Sequence, residues 1–284
     1  MNSVDRRHWK FALDSEYEQL IDANTWTLVP KSDAKNVISG KWVFKIKLKE
    51  DGTIDRYKAR WVARGFSQKF EIDYTEIFAP VIRYSSVRLL LSLANALDLN
   101  IYGCDVSNAF ARAEVDEDLY VQMPHGYEQY TETGKPFVCK LEKGLYGTKQ
   151  AARLWNQKFR KHLLNTGWRQ YESDPCIYSR FTHKHGHEIV GVYVDDIIHV
   201  ANTLAIHNAF HKSCNTVFPT TSQGELHWIL GMQIQRDRAT RTLTINQTSA
   251  LLANLDDWKM KDVKPASTDS HGRTMEIRFR TTNH

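Results

Sequence analysis

Cysteine is scarce and scattered in this chain. Four thiols, Cys104, Cys139, Cys176 and Cys214, stand far apart among 284 residues, with no C-x-x-C pair. That spacing excludes the usual zinc modules and the disulfide framework of a small secreted domain, so reduced thiols in an intracellular protein are expected. Long apolar runs are missing too. Nothing approaches the ~20 apolar residues that span a bilayer, and the opening "MNSVDRRHWK" lacks the apolar heart of a secretory leader. A soluble chain is expected. Internal repeats and low-complexity linkers are absent, and neither sign of charge dominates. Lys and Arg number 38 against 33 Asp and Glu, a formal excess of +5 with a pI near 8.9. That excess is too mild to announce a nucleic-acid partner by itself. With 42% hydrophobic and 25% charged residues, the chain suits one large domain or two lobes with a sizeable core.

What is present is strong periodicity. "SVDRRHWKFALDSEYEQLIDANTW" predicts an amphipathic helix with Trp9, Tyr17, Leu20 and Ile21 on its apolar face. "GKWVFKIKLKEDGTIDRYKARWVARGF" then alternates on both sides of Asp51-Gly52 and predicts a hairpin. Trp42, Phe44, Ile46 and Leu48 share one face of its first strand, and Lys41, Lys45, Lys47 and Lys49 the other. Lys58, Arg60 and Arg64 extend the cationic side on the second strand. Such a plate is either a solvated edge guarded by lysines or a grip for phosphate. Further on, Ser85 or Ser86 is the expected cap of a helix over "SSVRLLLSLANALDL". "NIYGCDVSNAF" predicts a strand ending near Asp105. A second cationic region runs from Lys140 and Lys143 through Lys149, Arg153, Lys158, Arg160 and Lys161, with a helix closed by Gly167. "ELHWILGMQIQRDRATRTLTINQ" predicts another hairpin and "SALLANLDDWKM" a short helix, after which periodicity fades beyond Lys264-Pro265.

The stretch "GVYVDDIIHV" sets two aspartates in an apolar, β-branched run. An isolated carboxylate is costly to bury, so buried charges are paired or bound to metal. The economical fold is a hairpin with Tyr193 to Asp196 at its turn. Neighbours on a strand face opposite ways, so Asp195 and Asp196 need that turn, or a helper, to aim at one point. Asp105, a lone acid closing an apolar strand, is the best helper. Aspartates at strand ends with no His or Cys beside them suit Mg²⁺ rather than zinc. Two such ions ~3.5–4 Å apart clamp the oxygens of a phosphoryl transfer. On the dipeptide alone, a surface turn is the competing reading. The twelve histidines are scattered, and none is assigned to a metal.

The order of segments narrows these alternatives. "GKWVFKIKLKEDGTIDRYKARWVARGF", "YTEIFAPVIRYSSVRLLLSLA", "CDVSNAFARAEVDEDLYVQMPHGY", "KLEKGLYGTKQAARLWNQKF", "YVDDIIHVA" and "GELHWILGMQI" follow one another. From Trp26 to about Pro265 the chain resembles the reverse transcriptase of copia-type retrotransposons. The resemblance implies an α+β right-hand polymerase whose antiparallel palm sheet is backed by helices. Fingers would occupy 1–80 and 113–150, palm 81–112 and 151–247, and a partial thumb with an atypical tail 248–284. It implies RNA-directed DNA synthesis, with dNTPs added to a primer 3′ end by two Mg²⁺ ions, Mn²⁺ being the alternative metal. Asp105, Asp195 and Asp196 match the catalytic acids, Asp196 in the supporting role, and Val106 adds a backbone metal contact. Lys47, Lys58, Arg60, Asn108, Ala109, Phe110 and Gln150 fall in nucleotide-binding blocks, with Phe110 as the ring that excludes a ribose 2′-hydroxyl. Tyr146, Gly147, Tyr193, Leu230, Gly231 and Met232 fall in template and primer blocks. RNA template, DNA or RNA primer and dNTPs are the implied partners, with no membrane. The parent polyprotein would also carry RNase H and integrase domains, and the setting is a cytoplasmic virus-like particle with a nuclear step to follow.

Three departures qualify the match. Ala111-Arg112-Ala113 replaces a Leu-Asn-Gly turn, and the lost glycine predicts strain at a positive φ. Ala152 replaces a proline near a helix start, which alanine tolerates. The end, "STDSHGRTMEIRFRTTNH", reads as a foreign or frame-shifted tail. A competing expectation is therefore a decayed or domesticated remnant that binds nucleic acid without extending it.

Overall fold

The computed structural model describes residues 5–48 and 53–260. The helices are α1 (Arg6–Asp22), α2 (Tyr84–Ala96), α3 (Ala151–Asn165), α4 (Leu204–Asn215) and α5 (Thr248–Asp257). The first strands are β1 (Trp26–Pro30), β2 (Val37–Ile38), β3 (Gly40–Leu48), β4 (Ile54–Ala63), β5 (Asn100–Val106), β6 (Tyr120–Gln122) and β7 (Phe137–Leu141). Then come β8 (Arg169–Gln170), β9 (Ile177–Thr182), β10 (Gly186–Tyr193), β11 (Asp196–Ala201), β12 (Thr220–Glu225), β13 (Trp228–Ile229), β14 (Met232–Asp237) and β15 (Thr242–Asn246). Asp51-Gly52, Lys49 and the tail from residue 261 lie outside the described residues. No described helix is long and apolar enough to cross a membrane. The chain forms two compact units, Met1–Pro80 with Asn108–Lys161, and Val81–Ser107 with His162–His284.

In the first unit, β1, β7, β6 and β2 make a four-stranded sheet, and β3 pairs with β4 as a separate ribbon. The ribbon register sets Trp42 against Trp61, Phe44 against Ala59 and Lys45 against Lys58. Alternation therefore separates an apolar from a cationic face, as the pattern predicts. The apolar face is dry only at its base, where Ala59, Trp61 and Ala63 are buried, whereas Phe44 and Leu48 are 44% and 61% exposed toward the tip. Trp9 of α1 packs edge-on against Phe44 and Tyr57, a cover that leaves Phe44 partly exposed. Helix α1 buries Ala12, Leu13, Glu16 and Leu20, and leaves Ile21 exposed against expectation. Glu16 accepts the backbone N–H of Trp61, and burial pushes its carboxyl up against the opposing pull of that bond, Lys58 and Arg60.

In the second unit, β12, β5, β11, β10, β9 and β8 form an antiparallel six-stranded sheet, and β13, β14 and β15 a smaller one. Ile101, Ile198 and Val200 share a core with Val87, Leu90, Leu91 and Ala94 of α2. Each such fully buried side chain contributes roughly 1.5–3 kcal/mol. Gly191 lies under α2, where an added Cβ would stand 2.7 Å from Leu90 Cδ1. On the other face Tyr102 stacks on His207 of α4, ring centroids 4.5 Å apart. Neither predicted serine caps α2 through its own turn. Its first turn is held by Asp174, whose Oδ2 accepts from the Arg83 N–H at 3.1 Å and the Ser86 hydroxyl at 2.6 Å. The architecture is α+β, with an antiparallel sheet backed by helices on both faces.

Candidate active site

Strands β10 and β11 meet in a two-residue turn, Val194-Asp195, closed by the Tyr193–Asp196 pair. Val194 takes φ +55°, a left-handed conformation that costs a β-branched residue on the order of 1–2 kcal/mol. Such strain persists where surrounding structure imposes it, and often at functional sites. Here the next strand imposes it. β5 pairs with β11 so that Asp105 stands opposite Asp196, and the Val106 N–H donates to the Asp195 carbonyl at 3.0 Å. Cross-strand partners project from the same face, so Asp105 and Asp196 leave the sheet side by side, with Asp195 at the turn above them. All three are half-buried. Ninety residues of sequence separation collapse to one strand spacing.

The donor chemistry of this corner is oxygen. Cys104 and His199, the soft and nitrogen donors on the same two strands, are buried on the opposite face, toward α4. Hard divalent cations match carboxylate oxygens. Among the described residues, no three His, Cys, Asp or Glu side chains are already gathered into a metal-holding cluster. The fit to Mg²⁺ therefore rests on backbone register and donor type.

Within the first unit, Asn108 takes φ +49° and its amide donates to Gln19 Oε1 of α1 at 3.2 Å. Ala109 is buried in the short 3-10 turn that follows. The Phe110 ring meets Tyr146 edge-on, centroids 4.7 Å apart, and the Arg60 guanidinium lies 4.7 Å from the Tyr146 centroid. Gly147 is required twice over: its φ is +88°, and a Cβ there would stand 2.1 Å from the Ala63 carbonyl. The Tyr146 carbonyl accepts the Ala63 N–H at 2.8 Å, which fixes this block to β4. Arg60, Phe110, Tyr146 and Gly147 are thus brought together, while Lys47 stands exposed farther along the ribbon.

Several expectations need correction. Gln150, expected in a nucleotide-binding block, has no exposed surface, and its amide bonds to the Asp73 carbonyl, Glu117 and Gln68. Met232 is buried in the second unit's core, and of the turn Leu230-Gly231, at φ +50° and +75°, Leu230 packs partly buried against that core while Gly231 is exposed. Ala111 and Arg112 lie in the 3-10 turn and Ala113 has φ −105°, so the missing glycine leaves no strain. Three cations of the second cationic region have acidic partners: Lys140 pairs with Asp118 at 2.8 Å, Lys158 with Glu114 at 2.9 Å, and Arg153 with Asp116.

Sequence reasoning missed a buried polar chain that joins β9, β10 and β11 to α4 and β12. Arg180 donates to both oxygens of Glu188 at 2.9 and 3.1 Å, and His199 Nε2 lies 3.3 Å from Glu188 Oε2. His199 Nδ1 is 3.2 Å from His207 Nδ1, and His207 Nε2 is 2.9 Å from the Ser222 hydroxyl. Burial pushes His199 down and His207 down to about 4, so both imidazoles are neutral at neutral pH. Glu188 is lowered: burial raises it, but His199 and Arg180 outweigh that. Only an isolated histidine in an apolar run hinted at it.

An acid-bearing hairpin turn thus stands against an acid-ending strand in the six-stranded sheet. Residues 23–270 match the family described as "Reverse transcriptase (RNA-dependent DNA polymerase)", and the chain belongs to that family. It falls among the copia-type members. It is 37% identical over 261 residues to the Pol polyprotein of transposon TNT 1-94 from Nicotiana tabacum, covering 92% of this chain and 20% of that one. It is also 37% identical over 273 residues to the Pol polyprotein of transposon RE1 from Arabidopsis thaliana, covering 94% and 18%. The chain therefore spans about a fifth of the length of these relatives. Among solved structures it is similar to a foamy viral protease–reverse transcriptase in complex with double-stranded DNA, at 14% identity and a TM-score of 0.42, covering 90% of this chain and 37% of that chain.

Proposed function

We propose that this chain is the polymerase domain of a copia-type Pol polyprotein and adds dNTPs to a primer 3′ end on an RNA template. The observation that carries the reading is the register of Asp105 opposite Asp196 at the Tyr193–Asp196 turn. Asp105 and Asp195, with the Val106 backbone and support from Asp196, would hold Mg²⁺ or Mn²⁺. The chemistry such ions would supply there is acidification of the attacking hydroxyl and compensation of charge on the departing pyrophosphate. The chain's own groups do the positioning. Lys58 and Arg60 supply positive charge for a triphosphate, with Lys47 farther out. Phe110, backed by Tyr146, narrows the space at the sugar and so favours dNTPs. Asn108 and Ala109 hold the turn from which Phe110 projects, and Tyr193 with Leu230-Gly231 supports the primer end. Template pairing sets sequence choice, and protein contacts go to backbone and base faces. Fingers and palm name the two units in this reading, with the action in a cytoplasmic particle before a nuclear step.

Primer extension on an RNA template with Mg²⁺ tests the proposal. The wild-type chain extends, and Asp195→Asn loses at least about 10²–10³-fold in rate, the scale of removing one transition-state electrostatic contact. A folded wild-type chain that binds primer–template yet incorporates no dNTP would establish the remnant reading instead.

A further inference from the structure

Helix α1 buries an acid in an otherwise apolar stripe. Glu16 is 4% exposed and stands with Ala12, Leu13 and Leu20 on the face that packs against β4. Packing alone asks for a leucine there, since a carboxyl out of water is costly unless it is bonded or paired. This acid has both kinds of support. It accepts the Trp61 N–H of β4, and Lys58 and Arg60 lie near enough to pull its titration down against burial. Its Oε1, like the Arg60 Nε, has no hydrogen-bond partner among the described residues. The carboxyl is thus bonded through its other oxygen, to the peptide that joins Arg60 to Trp61.

Gln19 lies three residues on, and positions three apart are neighbours on a helix surface. Its Oε1 accepts the Asn108 amide at 3.2 Å, and its own amide donates to the Ser15 hydroxyl at 3.1 Å, so both ends of the side-chain amide are held. Asn108 is buried at φ +49° and opens the 3-10 turn that carries Phe110. Ala111 of that turn shares one core with Leu20, Trp61 and Ala63. Helix α1 therefore holds two separate backbones, one beside Arg60 and one before Phe110. Those two side chains meet on Tyr146, the guanidinium and the Phe110 ring centroid each 4.7 Å from its ring centroid.

We infer that Glu16 and Gln19 are positioning residues: through α1 they set the spacing between the cation that would meet the triphosphate and the ring that would meet the sugar. The inference deepens the reverse-transcriptase reading and rests on it. Each residue acts through a neighbour, Glu16 on where Arg60 stands and Gln19 on how firmly Phe110 is held. Loss of the first loosens the grip on the nucleotide, and loss of the second loosens sugar choice. Displacements on the order of 1 Å already cost up to ~10²-fold in an aligned site.

Single-nucleotide incorporation by the 284-residue chain on a primed RNA template tests this. Glu16→Leu keeps the packing and removes the acceptor. Its dNTP KM should rise about tenfold, with kcat and primer–template affinity within about twofold of wild type. Glu16→Gln, which still accepts the Trp61 N–H, should restore KM. Gln19→Ala, at an exposed position, should leave the melting temperature unchanged. It should cut the dNTP-over-rNTP preference in kcat/KM about fivefold, whereas Gln19→Glu should keep that preference. A KM unchanged in folded Glu16→Leu, a raised KM that Glu16→Gln fails to restore, or a preference unchanged in Gln19→Ala would each overturn the positioning role. A wild-type chain that binds primer–template yet extends none would instead remove the reverse-transcriptase reading, and this role with it.

Discussion

The Phe110 ring packs edge-on against Tyr146, and the Phe110 carbonyl accepts the Ala113 N–H at 3.2 Å. In the proposed reading this ring discriminates the sugar by shape. Phe110→Ala should therefore raise rNTP incorporation relative to dNTP by at least about tenfold, read from the kcat/KM ratio of the two substrates. A ratio unchanged in a folded variant would remove Phe110 from sugar selection. The Asp195-Asp196 turn was legible at this scale because aspartates in a β-branched run conflict with burial, and Asp105 because it closes an apolar strand. Gln150 was not: a glutamine in a loop carries no sign that Asp73, Glu117 and Gln68 will enclose it.

At the scale of elements, the hairpins were legible because alternation and turn residues are local signals. The cap of α2 was not, since Asp174 arrives from 88 residues beyond Ser86. Asp174→Ala leaves the Arg83 N–H and Ser86 hydroxyl without their acceptor, and should cost about 1–3 kcal/mol in chemical denaturation. A change under ~0.5 kcal/mol, the usual range of surface substitutions, would show that Asp174 does not hold that helix. The same limit hid the polar chain between β10, β11 and α4, and it gives the sheet an acid weakness. The folded chain keeps His207 unprotonated down to about pH 4, whereas an unfolded histidine titrates near its ordinary 6.5. Between those values the unfolded state binds more protons, so stability rises with pH across this window and is lost as pH falls through it. The loss should reach about 3 kcal/mol, and His207→Asn should flatten it. Denaturation midpoints taken from pH 7 to pH 4 check this, and an unchanged slope in His207→Asn would contradict it.

Across the whole molecule, both units are assembled from separated stretches of chain: the stretch 81–107 joins 162–284, and 108–161 joins 1–80. Such interleaving is unreadable from any one segment, and became legible only through the order of six blocks that together resemble one family. At this scale the mild basic excess carried no assignment, and Glu114, Asp116 and Asp118 pair with three cations of the second cationic region. What remains is one acidic corner drawn together by strand pairing. Counting bound Mn²⁺ by electron paramagnetic resonance, with a non-extendable primer–template and dNTP present, addresses that corner directly. The wild-type chain should take up two ions, and Asp105→Asn no more than one while still binding primer–template. Two ions retained in Asp105→Asn, or none in a folded wild-type chain that binds primer–template, would contradict the account.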